Sequence, residues 1–160
     1  MVTLLERTGG VKRDSAGAIG SLILLLGIAG RPAGGILARA LPRRTWRAVA
    51  ISFVAGALGT AVIALSVGRL VDALAAALVG LAAGIPFGAT VAGATRTHPR
   101  AAGAAVGAMN TYPVMAIVCG APLVGLTFGM PGHGRIGFAV VAALWVTAIA
   151  AIPRRLALDA

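Results

Sequence analysis

The chain alternates between long apolar runs and short polar junctions. Runs without Asp, Glu, Lys or Arg cover residues 15–30 (continuing past Arg31 to 38), 48–68, 73–95, 101–134 and 136–153. About 20 mostly apolar residues cross the hydrocarbon core of a bilayer as a helix. Each run is long enough to do so with some tilt. The apolar residues run on without the polar alternation of a membrane β-barrel strand, so strands are not expected. A helix in hydrocarbon satisfies its own backbone donors and acceptors. The pattern therefore predicts an all-α, polytopic transmembrane bundle of about five spans: 15–38, 48–68, 73–95, 102–129 and 136–153, closing at Pro131 and Gly132 after the fourth. Residues 1–14 form a polar N-terminal segment, 15–153 the membrane domain and 154–160 a short tail.

Composition agrees with this pattern. Hydrophobic residues make up 59% of the 160-residue chain without its 23 glycines, and charged residues 11%. Soluble domains have about 45–50% apolar residues with glycine included, and about 25% charged. Such a chain needs lipid as its solvent. The formal charge of +10 comes from clusters between the spans, not from a basic face on a soluble fold. Nucleic-acid binding is therefore not expected; excess basic residues in short membrane loops explain the charge.

Loop charge predicts orientation. One set of loops and ends carries eight basic residues: Arg39, Arg43, Arg44, Arg47, Arg96, Arg100, Arg154 and Arg155. The other carries Arg7, Lys12, Arg13, Arg69 and Arg135, partly offset by Glu6, Asp14 and Asp72. The first set is expected to be cytoplasmic, at the plasma membrane, with the N-terminus outside and the C-terminus inside. Residues 1–14 have no signal-peptide pattern.

Small residues recur at four-residue spacing: Gly80, Gly84 and Gly88; Gly30 and Gly34; Gly103 and Gly107; Gly125 and Gly129. This spacing lets helix backbones approach closely. The triple at Gly80, Gly84 and Gly88 is the expected centre of a packed face. Pro86 and Pro113 fall inside spans, where proline is expected to kink a helix.

Polar groups inside spans are the candidate functional residues. Arg31 lies near the end of the first span, where its planar fork suits an anionic group. The bland alternative is that it snorkels and anchors the helix end. Asn110, Thr111 and Tyr112 form a second polar cluster in the fourth span; there the alternative is hydrogen bonding between helices. With Asp72 read as a junction residue, no span holds a carboxylate suited to proton coupling. His98 and His133 read as loop residues, and Cys119 as a small buried hydrophobe. No catalytic, metal-ligating or cofactor-binding constellation is present in the pattern, so neither an enzyme nor a cofactor is expected.

Residues 30–44 read GRPAGGILARALPRR. This stretch resembles the cytoplasmic-loop motif of the major facilitator superfamily, G-x-L-A-D-R-x-G-R-R, with matches at Gly35, Leu37, Ala38, Arg43 and Arg44. Arg39 stands at the aspartate position, Ala40 at the arginine position and Pro42 at the glycine position; loss of the acid is typical of the second-half copy of the motif. Arg31-Pro32-x-Gly34-Gly35 is also similar to helix 8 of that superfamily. Residues 103–110 and 120–125 look like its helix 11. The resemblance implies helices 8 to 12 of a twelve-helix transporter, with residues 3–10 a remnant of helix 7 and the first half absent. It implies secondary-active transport of a small solute by alternating access, between two halves that are both required. A helix 8 arginine contacts the anion in the nitrate and nitrite porters of this superfamily, which implies Arg31 as a candidate substrate contact; Asn110 and Tyr112, from the polar cluster of the fourth span, are the other candidates. The expected partners are the lipid bilayer, a solute and the missing N-terminal half. A non-transporting membrane scaffold or accessory subunit is the alternative.

Overall fold

The structure, a computed structural model, describes residues 1–152. The described residues are helical throughout, joined by short turns. The helices are α1 (Val2–Gly9), α2 (Arg13–Ala40), α3 (Thr45–Leu65), α4 (Arg69–Thr97), α5 (Ala102–Leu126) and α6 (Arg135–Ala150), with single 3-10 turns at Pro42–Arg44, Pro99–Ala101 and Thr127–Gly129. Four stretches are long and apolar enough to cross a membrane: Arg13–Ala40, Thr45–Leu65, Arg69–Thr97 and Pro99–Gly129. With 16 residues, α6 rises about 24 Å, somewhat short of a bilayer's roughly 30 Å core. The molecule is an all-α bundle in which five helices follow the five apolar runs. The expected tail, 154–160, lies outside the described residues.

α4 is central, with its most extensive contact on α2 and a further one on α3, which in turn packs on α6. The α2–α4 interface is built from backbone. Successive pairs along it are Gly27 with Gly80, Gly30 with Gly84, and Gly35 with Gly88, so the two helices run parallel. At Gly80 an added Cβ would stand 2.6 Å from the Ile23 carbonyl oxygen. At Gly84 and Gly88 it would run into the Gly27 and Arg31 carbonyls. At this separation no larger residue fits, and close backbone packing replaces the hydrophobic drive that lipid does not supply.

The α3–α6 contact is made differently. Phe53 and Trp145 meet edge to face at 5.5 Å, and the Trp145 indole covers Gly56. Polar side chains buried along α3 find backbone carbonyls. Ser52 and Thr60 donate to Ala48 and Gly56 of their own helix, and Thr45 to Leu41, which caps α2. Such bonds let hydroxyls sit in an apolar bundle without unpaired donors.

Two differences from the sequence reading concern helix ends. Residues 1–14, read as a polar segment, contain a helix: α1 buries Leu4 and Leu5 completely in a cluster with Ala16 and Ile19 of α2, Ile63 of α3 and Ala75 and Ala76 of α4. The third span also begins earlier than residue 73. α4 takes in Arg69 and Asp72, so a span-forming helix does hold a carboxylate in its first turn. Charged residues end an apolar run, but they do not end a helix.

α5 stands apart. None of its residues is buried, and its principal contact is a thin one with α4. An added Cβ at Gly103, Gly107, Gly120 or Gly125 would meet nothing within 4 Å.

Candidate functional site

Arg31 sits nine residues before the end of α2, about 14 Å inside it. Its side chain is exposed and lies over the Phe87 ring of α4, with the guanidinium carbon 4.4 Å from the ring centroid. Gly35 and Gly88, packed beside it, bring the two helices close enough for that contact. An aromatic face attracts the cation, by about 0.5–1 kcal/mol at exposed sites.

Arg31 and Phe87 lie in a groove between α2 and α4 with a volume of about 520 Å³, walled by Ile36 and Val91 and carrying Arg39 and Arg96. Arg39 is in the last turn of α2 and Arg96 in the last turn of α4. The Arg39 Nε–H donates to the Gly35 carbonyl at 3.2 Å, which holds the side chain along its helix. Among the described residues the one ion pair is Arg13 with Glu6, at 3.9 Å and at the far end of α2, so the groove arginines have no carboxylate partner.

The remaining candidates are placed elsewhere. Asn110 and Tyr112 are exposed on α5, Tyr112 at 71%. They line neither this groove nor the second cleft. That cleft, about 900 Å³, lies between α3, α4, α5 and α6 and is walled by Val49, Phe53, Ala89 and Met109. α5 and α2 share no extended contact, so Arg31 is not brought together with Asn110 or Tyr112. Thr111 donates to the Gly107 carbonyl of its own helix. Of the loop-motif residues, Gly35 is buried in the α2–α4 contact, while Arg43 and Arg44 are exposed in the turn after α2. Cys119, read as a small buried residue, is exposed on α5. His98 follows the last residue of α4, and His133 occupies a left-handed turn position with φ 47°.

The residue that sequence reasoning missed is Asp72. It is fully buried, and neither carboxylate oxygen has a hydrogen bond of good geometry; the backbone amides of Val67 and Gly68 are the polar groups beside it. The available signal was its position one helical turn before Ala75 and Ala76, on the face that packs against α1. Among the described residues no group of three His, Cys, Asp or Glu is placed to hold a metal ion. In comparisons with protein-family models, curated proteins and solved structures, no match to this chain is found.

Proposed function

We propose that the chain is one part of a secondary-active transporter of the major facilitator type, moving a small solute by alternating access, and that it does not transport alone. The observation that carries this reading is the outward placement of its intramembrane polar groups. Arg31, Asn110 and Tyr112 are all exposed on the bundle surface. Polar and charged groups at membrane depth are expensive against lipid and ordinarily face protein or a water-filled cavity. A second half packed over these faces supplies both. The loop motif at Gly35, Arg43 and Arg44 supports the same reading, as does the basic end formed by Arg39, Arg43, Arg44, Arg47, Arg96 and Arg100, which is assigned to the cytoplasm at the plasma membrane.

The solute is assigned as an anion, contacted by Arg31. Two measurements test the proposal. Proteoliposomes holding the purified 160-residue chain are expected to take up no nitrate above protein-free vesicles; robust uptake sinks the view that a second half is needed. In the complete transporter, Arg31→Gln is expected to lower anion uptake at least tenfold, and unchanged uptake removes Arg31 from the site. The accessory-subunit reading draws on α5, whose uncovered surface also suits docking against another membrane protein. Co-purification with an independently active transporter would favour that reading.

A further inference from the structure

The chain has four acids: Glu6, Asp14, Asp72 and Asp159. The first three lie in α1 or in the first turns of α2 and α4, at the end opposite Arg39 and Arg96, and Asp159 lies outside the described residues. Arg39, Arg43, Arg44, Arg47, Arg96 and Arg100 thus gather where α2 and α4 end, with no described acid at that end to balance them. No described residue supplies their counter-charge. Arg43, Arg44 and Arg100 stand on turns and Arg47 in the first turn of α3. Arg39 and Arg96 differ, because the parallel α2–α4 pair carries both into one groove.

From this arrangement we infer that the membrane-surface end of the α2–α4 groove is a binding site for a phosphate ester, supplied by the headgroup of an anionic phospholipid. Arginine forks match phosphate oxygens in pairs, and two forks from adjacent helices suit a phosphodiester. Ile36 and Val91 wall the same groove, each earlier in its helix than Arg39 and Arg96, and offer an acyl chain an apolar surface beside the headgroup. A free phosphate ester has no use for such walls. Anionic lipids attract basic residues placed at the cytoplasmic surface. Arg31 is not part of the fork: it lies eight residues, about 12 Å, further along α2 and is engaged by Phe87. The lipid site is carried by Arg39 and Arg96 and the solute contact by Arg31, so the two can fail separately.

Native mass spectrometry of the detergent-purified chain, offered equal phosphatidylglycerol and phosphatidylcholine, tests it. Retained phosphatidylglycerol is expected to exceed phosphatidylcholine at least fivefold. The double variant Arg39→Gln/Arg96→Gln should abolish that preference, while Arg43→Gln/Arg100→Gln, which removes equal charge outside the groove, should keep it. Equal loss in both variants, or no preference in the parent, overturns the site. Arg39→Lys/Arg96→Lys keeps the charge without the forks and should retain less than half of the preference; full retention overturns fork recognition. Excess glycerol 3-phosphate should not displace the lipid; complete displacement overturns the lipid source and assigns a soluble phosphate ester instead. Far-UV circular dichroism on each variant separates lost binding from lost folding.

Discussion

Asp72 joins a sequence position that looks like a junction to a place that excludes water. Gly68, Arg69 and Asp72 read as the polar break between two spans, yet the helix starts at Arg69 and buries Asp72 completely. A buried polar group without a good hydrogen bond costs about 1–3 kcal/mol. Replacing it with an apolar side chain of similar volume removes that cost and can stabilise the fold. Asp72→Leu is therefore expected to raise the stability of the detergent-solubilised chain by about 1–3 kcal/mol, read from unfolding followed by circular dichroism. A clear loss of stability would mean that the carboxylate has a partner that holds α1 in place. Arg31 poses the opposite case at the same scale. Its place within the first apolar helix was legible in the sequence; that it lies exposed over Phe87 was not, because the ring is 56 residues away and only the glycine contacts bring it near.

The helices differ in what holds them. α2 and α4 are joined by backbone contact at Gly30, Gly80, Gly84 and Gly88, whereas α5 carries the same four-residue glycine spacing at Gly103 and Gly107 and touches nothing there. Gly88→Leu inserts a side chain where the Arg31 carbonyl already stands. Overpacking of that kind costs about 1–3 kcal/mol, and more when backbone rather than a flexible side chain is displaced. Gly88→Leu should lower thermal stability in detergent by at least that amount and weaken the Arg31–Phe87 contact. Gly103→Leu and Gly107→Leu should leave stability within about 0.5 kcal/mol, as surface changes do. Equal effects in the two helices would show that α5 is packed after all. The comparison also marks how far the sequence could be read. The five apolar runs, the helical state and the four-residue glycine spacing were all legible, since each depends on residues close together in the chain. Which glycine row meets which, and which row stays open, depends on the order in which helices pack, and periodicity carries no record of that. α1 was illegible for a related reason: eight residues with Glu6 and Arg7 look like a polar stub until Leu4 and Leu5 find Ile63, Ala75 and Ala76.

For the whole molecule, a tight α2–α4 pair, an α3–α6 pair beside it and an uncovered α5 make a bundle unequally cohesive from one side to the other. An uncovered transmembrane helix is stable against lipid where its surface is apolar, as along Ile117, Val118 and Leu123; Asn110 and Tyr112 are the exceptions. In the proposed transporter the missing half covers those exceptions; in the isolated chain, lipid surrounds the helix. Cys119 is the chain's one cysteine and is exposed in the later half of α5, so it reports on this without further engineering. A nitroxide attached there, with the chain reconstituted alone in a fluid bilayer, is expected to collide freely with dissolved oxygen, which concentrates in the hydrocarbon region. Its spectrum should not broaden as protein density rises, since the proposed reading puts a different half, not a second copy, on that face. Low oxygen accessibility together with broadening would place a copy of this chain on α5. The uncovered face would then belong to a homo-oligomer, and the reading of one part awaiting a different half would fail.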